Sequence, residues 1–146
     1  MSNFVNCLKL GNKFQDEFIK IKNWKPNTYK IMTGKFLPYD IIHYGSKKEV
    51  KYEIKCDRLA YKTGNLCIEF QCNEKPSGIS TSESDYYVYF VLHQNMKDYD
   101  YYKIRTSLIK DLINEKKYHK IINGGDGWRA KSYLFKIDLF DEYKKN

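Results

Sequence analysis

The sequence predicts an α/β fold in which helices flank a central mixed sheet. An N-terminal segment repeats apolar residues at helical spacing, several later segments alternate apolar and polar residues, and a second helical stripe follows them. The order is helix, three strands, helix and strand, with a further helix and strands towards the C-terminus. The chain has 146 residues, 42% of them hydrophobic, which is enough for one domain with its own core.

The first predicted element is an amphipathic helix over about residues 13–24, with Phe14 and Phe18 on its apolar face. Pro26 ends it, because proline disfavours helical backbone in the residue before it. A first strand is expected near residues 28–33.

The next two segments are predicted to form a β-hairpin. Its strands run over residues 40–44 and 49–57, and the second of these alternates cleanly between apolar and polar residues. A tight connection, Gly45-Ser46-Lys47-Lys48, joins them.

A four-residue loop would define the register of this hairpin. Tyr44 then pairs with Glu49 and, counting back, Asp40 pairs with Glu53. Directly paired residues point to the same face with Cβ atoms about 4.5–5.5 Å apart. Lys55 shares that face because strand side chains alternate. Two carboxylates this close repel unless a cation lies between them, so the segment predicts a divalent-metal site suited to phosphodiester cleavage.

A further strand is expected over residues 65–71. A connection of about seven residues would place Glu69 opposite Glu53, and Asp57 would lie near the strand end on the same face. Ser80-Thr81-Ser82-Glu83 fits a capping box and predicts a short helix. The later elements are expected to be strands at 86–93 and 98–105, a helical stripe from 104 to 117, and strands at 118–123 and 132–140 around a turn at 124–127.

The alternative to a metal site is an exposed sheet face with solvated mixed charges. Glu-x-Lys occurs four times in this lysine-rich chain, so the motif alone carries little information. Only Glu53 and Lys55 fall opposite another acid, whereas cross-strand charge pairs normally have opposite sign. The like-charge pairing favours the metal site.

The formal net charge of +8 indicates a polyanionic partner, either nucleic acid or an anionic surface. Lysine supplies 23 of the 26 basic residues, which fits A/T-rich coding as in many phages, large DNA viruses and some bacteria. The cysteines, at positions 7, 56, 67 and 72, match no zinc-site spacing and are expected to be reduced. With no signal peptide and no apolar run of about 20 residues, a cytoplasmic or intracellular location without membrane association is expected.

Asp40 and Glu53-Ile54-Lys55, following an N-terminal helix, resemble the PD-(D/E)XK nuclease superfamily over about residues 13–93. The resemblance extends to a subset in which Glu-x-Lys-x-Asp precedes Thr-Gly-Asn, a strand bearing Glu, and Pro-Ser-Gly-Ile. The matching segments here are residues 53–57, 63–65, Glu69 and 76–79. The proline of the PD motif is not at its usual position. Tyr39 precedes Asp40, and Pro38 lies one residue earlier.

The resemblance implies a restriction-endonuclease-like αβββαβ core within a single nuclease-like domain over residues 1–146, with a C-terminal extension from about residue 98. It implies that Asp40, Glu53 and the backbone carbonyl of Ile54 hold Mg²⁺, for which Mn²⁺ is expected to substitute. Lys55 would orient or deprotonate the attacking water and offset charge on the phosphate. Glu17 matches a position where some members carry a further metal-directed acid, although a solvated helix face explains it equally well.

The implied function is Mg²⁺-dependent endonucleolytic cleavage of DNA, of a structure-selective, restriction or repair type. No glutamine has tyrosine four residues later, which argues against the RecB branch. Junction resolvases are usually dimers, so a homodimer is a further expectation. The alternatives are a catalytically silent nucleic-acid-binding module on the same fold and an RNA-directed nuclease. The expected nucleic-acid contacts are Gln71, Lys51, Lys120, Arg129 and Lys131.

Overall fold

The computed structural model describes residues 3–35, 38–124, 127 and 129–145. The α-helices are α1 (Asn3–Lys22), α2 (Ala60–Thr63) and α3 (Thr106–Asn114). The strands are β1 (Tyr29–Ile31), β2 (Ile41–Tyr44), β3 (Glu49–Asp57), β4 (Asn65–Cys72), β5 (Lys75–Pro76), β6 (Tyr86–Leu92), β7 (Tyr99–Arg105), β8 (Lys120–Gly124), β9 (Ala130–Lys136) and β10 (Lys144–Lys145).

The first sheet has the strand order β1-β2-β3-β6-β7-β10. Its neighbouring strands are antiparallel except β3 and β6, which run parallel, so the predicted mixed sheet of an α/β protein is confirmed. The hairpin of β2 and β3 has the predicted register, with Tyr44 opposite Glu49 and Ile41 opposite Tyr52.

The position of β4 was predicted wrongly. It belongs to a second sheet of order β5-β4-β9-β8, and β6 occupies the place beside β3 that the sequence assigned to β4. The burial of the two strands explains the difference. Every residue from Tyr87 to Leu92 in β6 is buried, as in a strand covered on both faces, whereas β4 buries only alternate residues at its start.

The predicted N-terminal helix is confirmed and begins earlier than expected. Phe14 and Phe18 are buried against Ile41, Ile54 and neighbouring residues on one face of the first sheet. The chain leaves the helix after Lys22. The opposite face of the first sheet packs on the second sheet through a core that includes residues of β4, β6, β7 and β9.

The predicted helix after Ser80-Thr81-Ser82-Glu83 is absent, and only a 3₁₀ turn at Gly78–Ser80 precedes these residues. Ser82 and Ser84 are buried, and their hydroxyls are 2.7 Å apart. The Ser84 hydroxyl is also 2.9 Å from that of Thr106. The hydroxyls therefore bond to tertiary partners instead of capping a local helix.

The C-terminal residues complete both sheets. β7 and β10 extend the first sheet, and β8 and β9 extend the second. α3 is shorter than its predicted stripe, and the last predicted strand ends at Lys136, where a 3₁₀ helix (Ile137–Tyr143) begins. In the predicted turn at 124–127, Gly125 and Asp126 lie outside the described residues. No helix in the described part is long and apolar enough to cross a membrane.

Candidate functional site

Asp40, Glu53 and Lys55 lie together, as the register of the hairpin predicted. Asp40 immediately precedes β2, and its N–H donates to the carbonyl of Tyr52 at 2.9 Å. Glu53 is only 8% exposed, and its Oε2 is 3.4 Å from Nζ of Lys55. Glu53 and Lys55 extend from the face of β3 opposite that of Ile54, which packs beneath α1. The cluster therefore lies on the side of the first sheet that faces the second sheet.

The Asp40 carboxylate is bound to the edge of β3. Its Oδ2 accepts a hydrogen bond of 2.8 Å from the N–H of Ile54. The N–H and C=O of one strand residue point to the same edge. The carbonyl of Ile54 therefore faces the Asp40 side of β3, where the pairing with β2 ends at Tyr52. A backbone oxygen therefore faces the edge of β3 at which the Asp40 carboxylate is bound.

Glu53 carries a strongly perturbed carboxyl group. Burial raises its pKa to about 8; Lys55 opposes this rise, and the charge and hydrogen bond of Asp40 add to it. Glu53 accordingly holds a proton at neutral pH, and this proton relieves the repulsion between the two acids. A cation bound between the two acids would also relieve their repulsion. The site therefore favours the binding of positive charge.

Lys55 is held in its charged form. Burial disfavours the ammonium, but Glu53, Asp40 and Glu69, which are ionised at the high pH where a lysine titrates, outweigh that effect and raise the pKa of Lys55. The side chain keeps 43% of its surface accessible, so it can reach a bound molecule. Of the two predicted roles, a charged lysine suits the stabilisation of an anion better than the deprotonation of water.

Glu69 lies near Lys55, but in a different arrangement from the predicted one. The expectation that it pairs with Glu53 within one sheet is wrong, because β4 lies in the second sheet. Glu69 and Lys55 nevertheless line one cavity of about 270 Å³ between the sheets. Ser77 donates a hydrogen bond of 2.8 Å to Oε2 of Glu69 and fixes its carboxylate.

Gly78 packs directly on the backbone of Glu69. Its φ is +53°, and a Cβ added there would overlap the Glu69 carbonyl oxygen and lie 2.8 Å from its carbonyl carbon. We expect Gly78→Ala to lower the free energy of unfolding by about 2–4 kcal/mol, from left-handed strain plus overpacking. Urea denaturation measures the change.

Gly64→Ala is the matched control for this variant. Gly64 has a similar φ of +72°, but no atom lies within 4 Å of the added Cβ. Gly64→Ala should therefore lower the free energy of unfolding only through left-handed backbone strain, by about 1–2 kcal/mol. Equal losses in the two variants would show that the contact with Glu69 has no energetic role.

Tyr87 is a site residue that the sequence analysis did not identify. It lies beside Glu53 in the parallel pairing of β3 and β6 and lines the same cavity as Lys55. Its hydroxyl is buried and has no hydrogen-bond partner of ordinary geometry among the described residues. Burial and the charge of Glu53 raise its pKa, so it stays a donor. No local pattern predicts this neighbour, since it depends on β6 pairing with β3.

Two of the additional acids have structural partners. Oδ1 of Asp57 accepts hydrogen bonds of 2.9 Å from the N–H groups of Leu59 and Ala60, and its Oδ2 accepts one of 3.3 Å from Cys67. Asp57 thus anchors α2 and β4. Glu17 accepts a hydrogen bond of 2.9 Å from the Tyr99 hydroxyl on the α1 side of the first sheet. The structure does not bring Glu17 to the cluster.

The predicted nucleic-acid contacts separate into three places. Gln71, Arg129 and Lys131 line a cavity of about 500 Å³ at one end of the second sheet. Lys120 lines a different cavity, beside Asp57. Lys51 lies near the start of β3, with its Nζ 5.1 Å from the ring centre of Tyr39. Only the first three residues therefore form a common surface.

The donor atoms of the cluster fit a hard divalent cation. Within the described residues, no group of three or more His, Cys, Asp and Glu side chains is placed to hold a metal ion. Mg²⁺ commonly takes one or two carboxylates and keeps several waters, so it does not need a complete protein cage. Asp40, Glu53 and the Ile54 carbonyl could supply oxygen ligands, and the raised pKa of Glu53 beside Asp40 indicates that positive charge is favoured there.

No protein-family model matches the sequence, and no match was found among curated proteins or solved structures. The function has to be inferred from the site itself.

Proposed function

We propose that this protein is a metal-dependent endonuclease of the PD-(D/E)XK type, with Asp40, Glu53 and Lys55 as its catalytic residues. The observation that carries the proposal is the buried carboxyl of Glu53, held against Asp40 with Lys55 at 3.4 Å. A solvated sheet face would leave these groups in water, where their charges have little effect on one another. Burying Glu53 beside a second acid is costly, and such clusters are typical of functional sites.

The order of the elements supports a restriction-endonuclease-like core. If β4 and β5 are set aside, α1, β1, β2, β3, α2 and β6 have the order αβββαβ, and β6 runs parallel to β3. β4 and β5 lie within the crossover between β3 and β6 and contribute to the second sheet. The proposed core thus carries its acids and lysine on its second and third strands.

Asp40, Glu53 and the carbonyl of Ile54 would hold Mg²⁺ or Mn²⁺. A bound ion of this kind activates water as a nucleophile and neutralises charge on a phosphate. Glu53 would hold the cation in its deprotonated form, and the Ile54 N–H would keep the Asp40 carboxylate in position. Lys55 stays positively charged and stabilises the additional negative charge on the phosphate as the bond breaks.

DNA is the proposed substrate because the chain has a formal net charge of +8 and the candidate chemistry acts on phosphodiesters. The second candidate is a nucleic-acid-binding module without catalysis. It is favoured by Arg129 and Lys131, which with Gln71 line a cavity that none of the proposed catalytic residues lines. An RNA substrate and a homodimer stay as predictions.

Incubation of the purified chain with supercoiled, branched and single-stranded DNA, and with RNA, tests the proposal. We expect cleavage of at least one DNA with Mg²⁺ or Mn²⁺ and none with EDTA. Gel electrophoresis detects the products. Salt-dependent retention of nucleic acid without product under every metal would overturn the nuclease assignment and favour the binding module.

A further inference from the structure

A second polar cavity, of about 370 Å³, lies where the starts of β3 and β6 meet the end of β7. Four cationic residues line it: Lys48, Lys103, Arg105 and Lys110. We call the space that they line the basic cavity. Tyr52, which lines this cavity, belongs to the core beneath α1. The basic cavity therefore lies at the α1 face of the first sheet, whereas Glu53 lies on the other face.

Aromatic rings hold two of these cations in place. Nζ of Lys103 lies 4.4 Å from the ring centre of Tyr86 and 5.8 Å from that of Tyr52. The guanidinium carbon of Arg105 lies 5.3 Å from the same Tyr86 ring. Lys103 and Arg105 are two residues apart on β7, so they project from one face. Two positive groups thus share one aromatic support instead of pointing away from each other.

The basic cavity has more cations than acids among its lining residues. In the described part of the chain, no carboxylate lies within 4.0 Å of any of its four cations. Asp85 is its only acidic lining residue, and its Oδ2 already accepts a hydrogen bond of 2.8 Å from the N–H of Lys51. Burial lowers the pKa of Lys103, and the charges of Lys22, Lys145 and Arg105 lower it further. An anion would relieve this repulsion.

Neutral donors surround the same space. α3 begins at Thr106, and its first turn faces the cavity through Thr106 and Ser107. The N–H of Thr106 already donates to the carbonyl of Asp85 at 3.0 Å. The N–H groups that follow it in the first turn have no partner within the helix and favour a negative ligand. Thr106 is linked through Ser84 to Ser82, whose hydroxyl is 3.4 Å from the carbonyl of Pro38. These hydroxyl contacts connect the start of α3 with Pro38, which lies two residues before Asp40.

We propose that the basic cavity binds a phosphate group, carried by a nucleic-acid strand or by a free nucleotide. Arginine offers a fork of donors that matches phosphate geometry, and lysine adds a compact charge. The volume of about 370 Å³ leaves room beyond one phosphate for part of the attached sugar. The inference goes beyond the proposed nuclease activity, because it uses none of the catalytic residues.

The test measures the affinity of phosphate-bearing probes for the full chain. EDTA is present, so the measurement does not depend on metal-dependent cleavage. The probes are pyrophosphate, AMP, and a fluorescent single-stranded DNA oligonucleotide. The variant Lys103→Gln/Arg105→Gln should weaken binding of at least one probe tenfold or more. Its control, Lys62→Gln/Lys75→Gln, removes the same formal charge from exposed positions outside the basic cavity and should change affinity less than threefold.

The pattern of losses identifies the source of the phosphate. A loss with AMP supports a nucleotide, and a loss with the oligonucleotide alone supports a strand. Equal effects in the two double variants, or no effect in either, would overturn the proposal. If the β7 variant fails to fold by circular dichroism, Lys48→Gln/Lys110→Gln at the exposed rim repeats the test. Binding that survives without any nuclease activity would leave this site standing and reject only the proposed function.

Discussion

Replacing Lys55 by alanine is expected to lower the rate of DNA cleavage at least about a hundredfold, and Glu53→Gln should have a similar effect. Lys55 supplies the charged group nearest the buried acids, at 3.4 Å from Glu53. Glu53→Gln keeps the shape of the side chain but removes an anionic ligand. Single-turnover cleavage at saturating protein measures both losses independently of DNA affinity.

The chain contains its own control for these two variants. Glu49 belongs to another Glu-x-Lys motif, at the start of the same strand, and lies opposite Tyr44 instead of an acid. Glu49→Gln should cleave at close to the wild-type rate, as should Lys117→Ala in a motif after α3. Unchanged cleavage by Lys55→Ala would contradict the catalytic assignment. Equal losses in all four variants would point to a general effect of charge.

The stability of the protein should fall as the pH rises from about 4.5 to about 8. The folded protein holds a proton on Glu53 with a pKa of about 8, whereas the unfolded chain releases it near 4.5. The folded state therefore binds more protons over this range, and raising the pH favours unfolding. The contribution is on the order of a few kcal/mol, because each pKa unit corresponds to about 1.4 kcal/mol. Urea denaturation between pH 5 and pH 8.5 measures it.

Glu53→Gln should remove most of this pH dependence, since glutamine resembles the protonated acid and does not titrate. Mg²⁺ provides a second comparison. It should raise the denaturation midpoint of the wild type at pH 8 and leave that of Glu53→Gln almost unchanged, because a ligand stabilises only the state that binds it. The same slope of stability against pH in both proteins would show that Glu53 does not carry the buried proton.

The candidate site was predictable to the extent that it depends on one hairpin. A four-residue loop between two alternating strands determines which residues face each other, and the register placed Asp40 beside Glu53 without further information. Lys55 followed from strand alternation alone. The positions of the additional acids depend on contacts between distant parts of the chain, and the structure differs from the prediction for each of them. Asp57 anchors backbone N–H groups, Glu17 lies on the other side of the sheet, and Glu69 comes from the second sheet.

The sequence by itself determined the N-terminal helix, the hairpin and the acid-acid-lysine cluster, because each depends on periodicity and a short loop. Only the tertiary structure decided the strand that lies beside β3. A strand buried on both faces has to be central, and β6 meets that condition while β4 does not. This choice brings Tyr87 next to Glu53, turns Glu69 towards Lys55 across two sheets, and places Lys103 and Arg105 in the basic cavity. These residues are distant in the chain, and the burial of apolar surface brings them together.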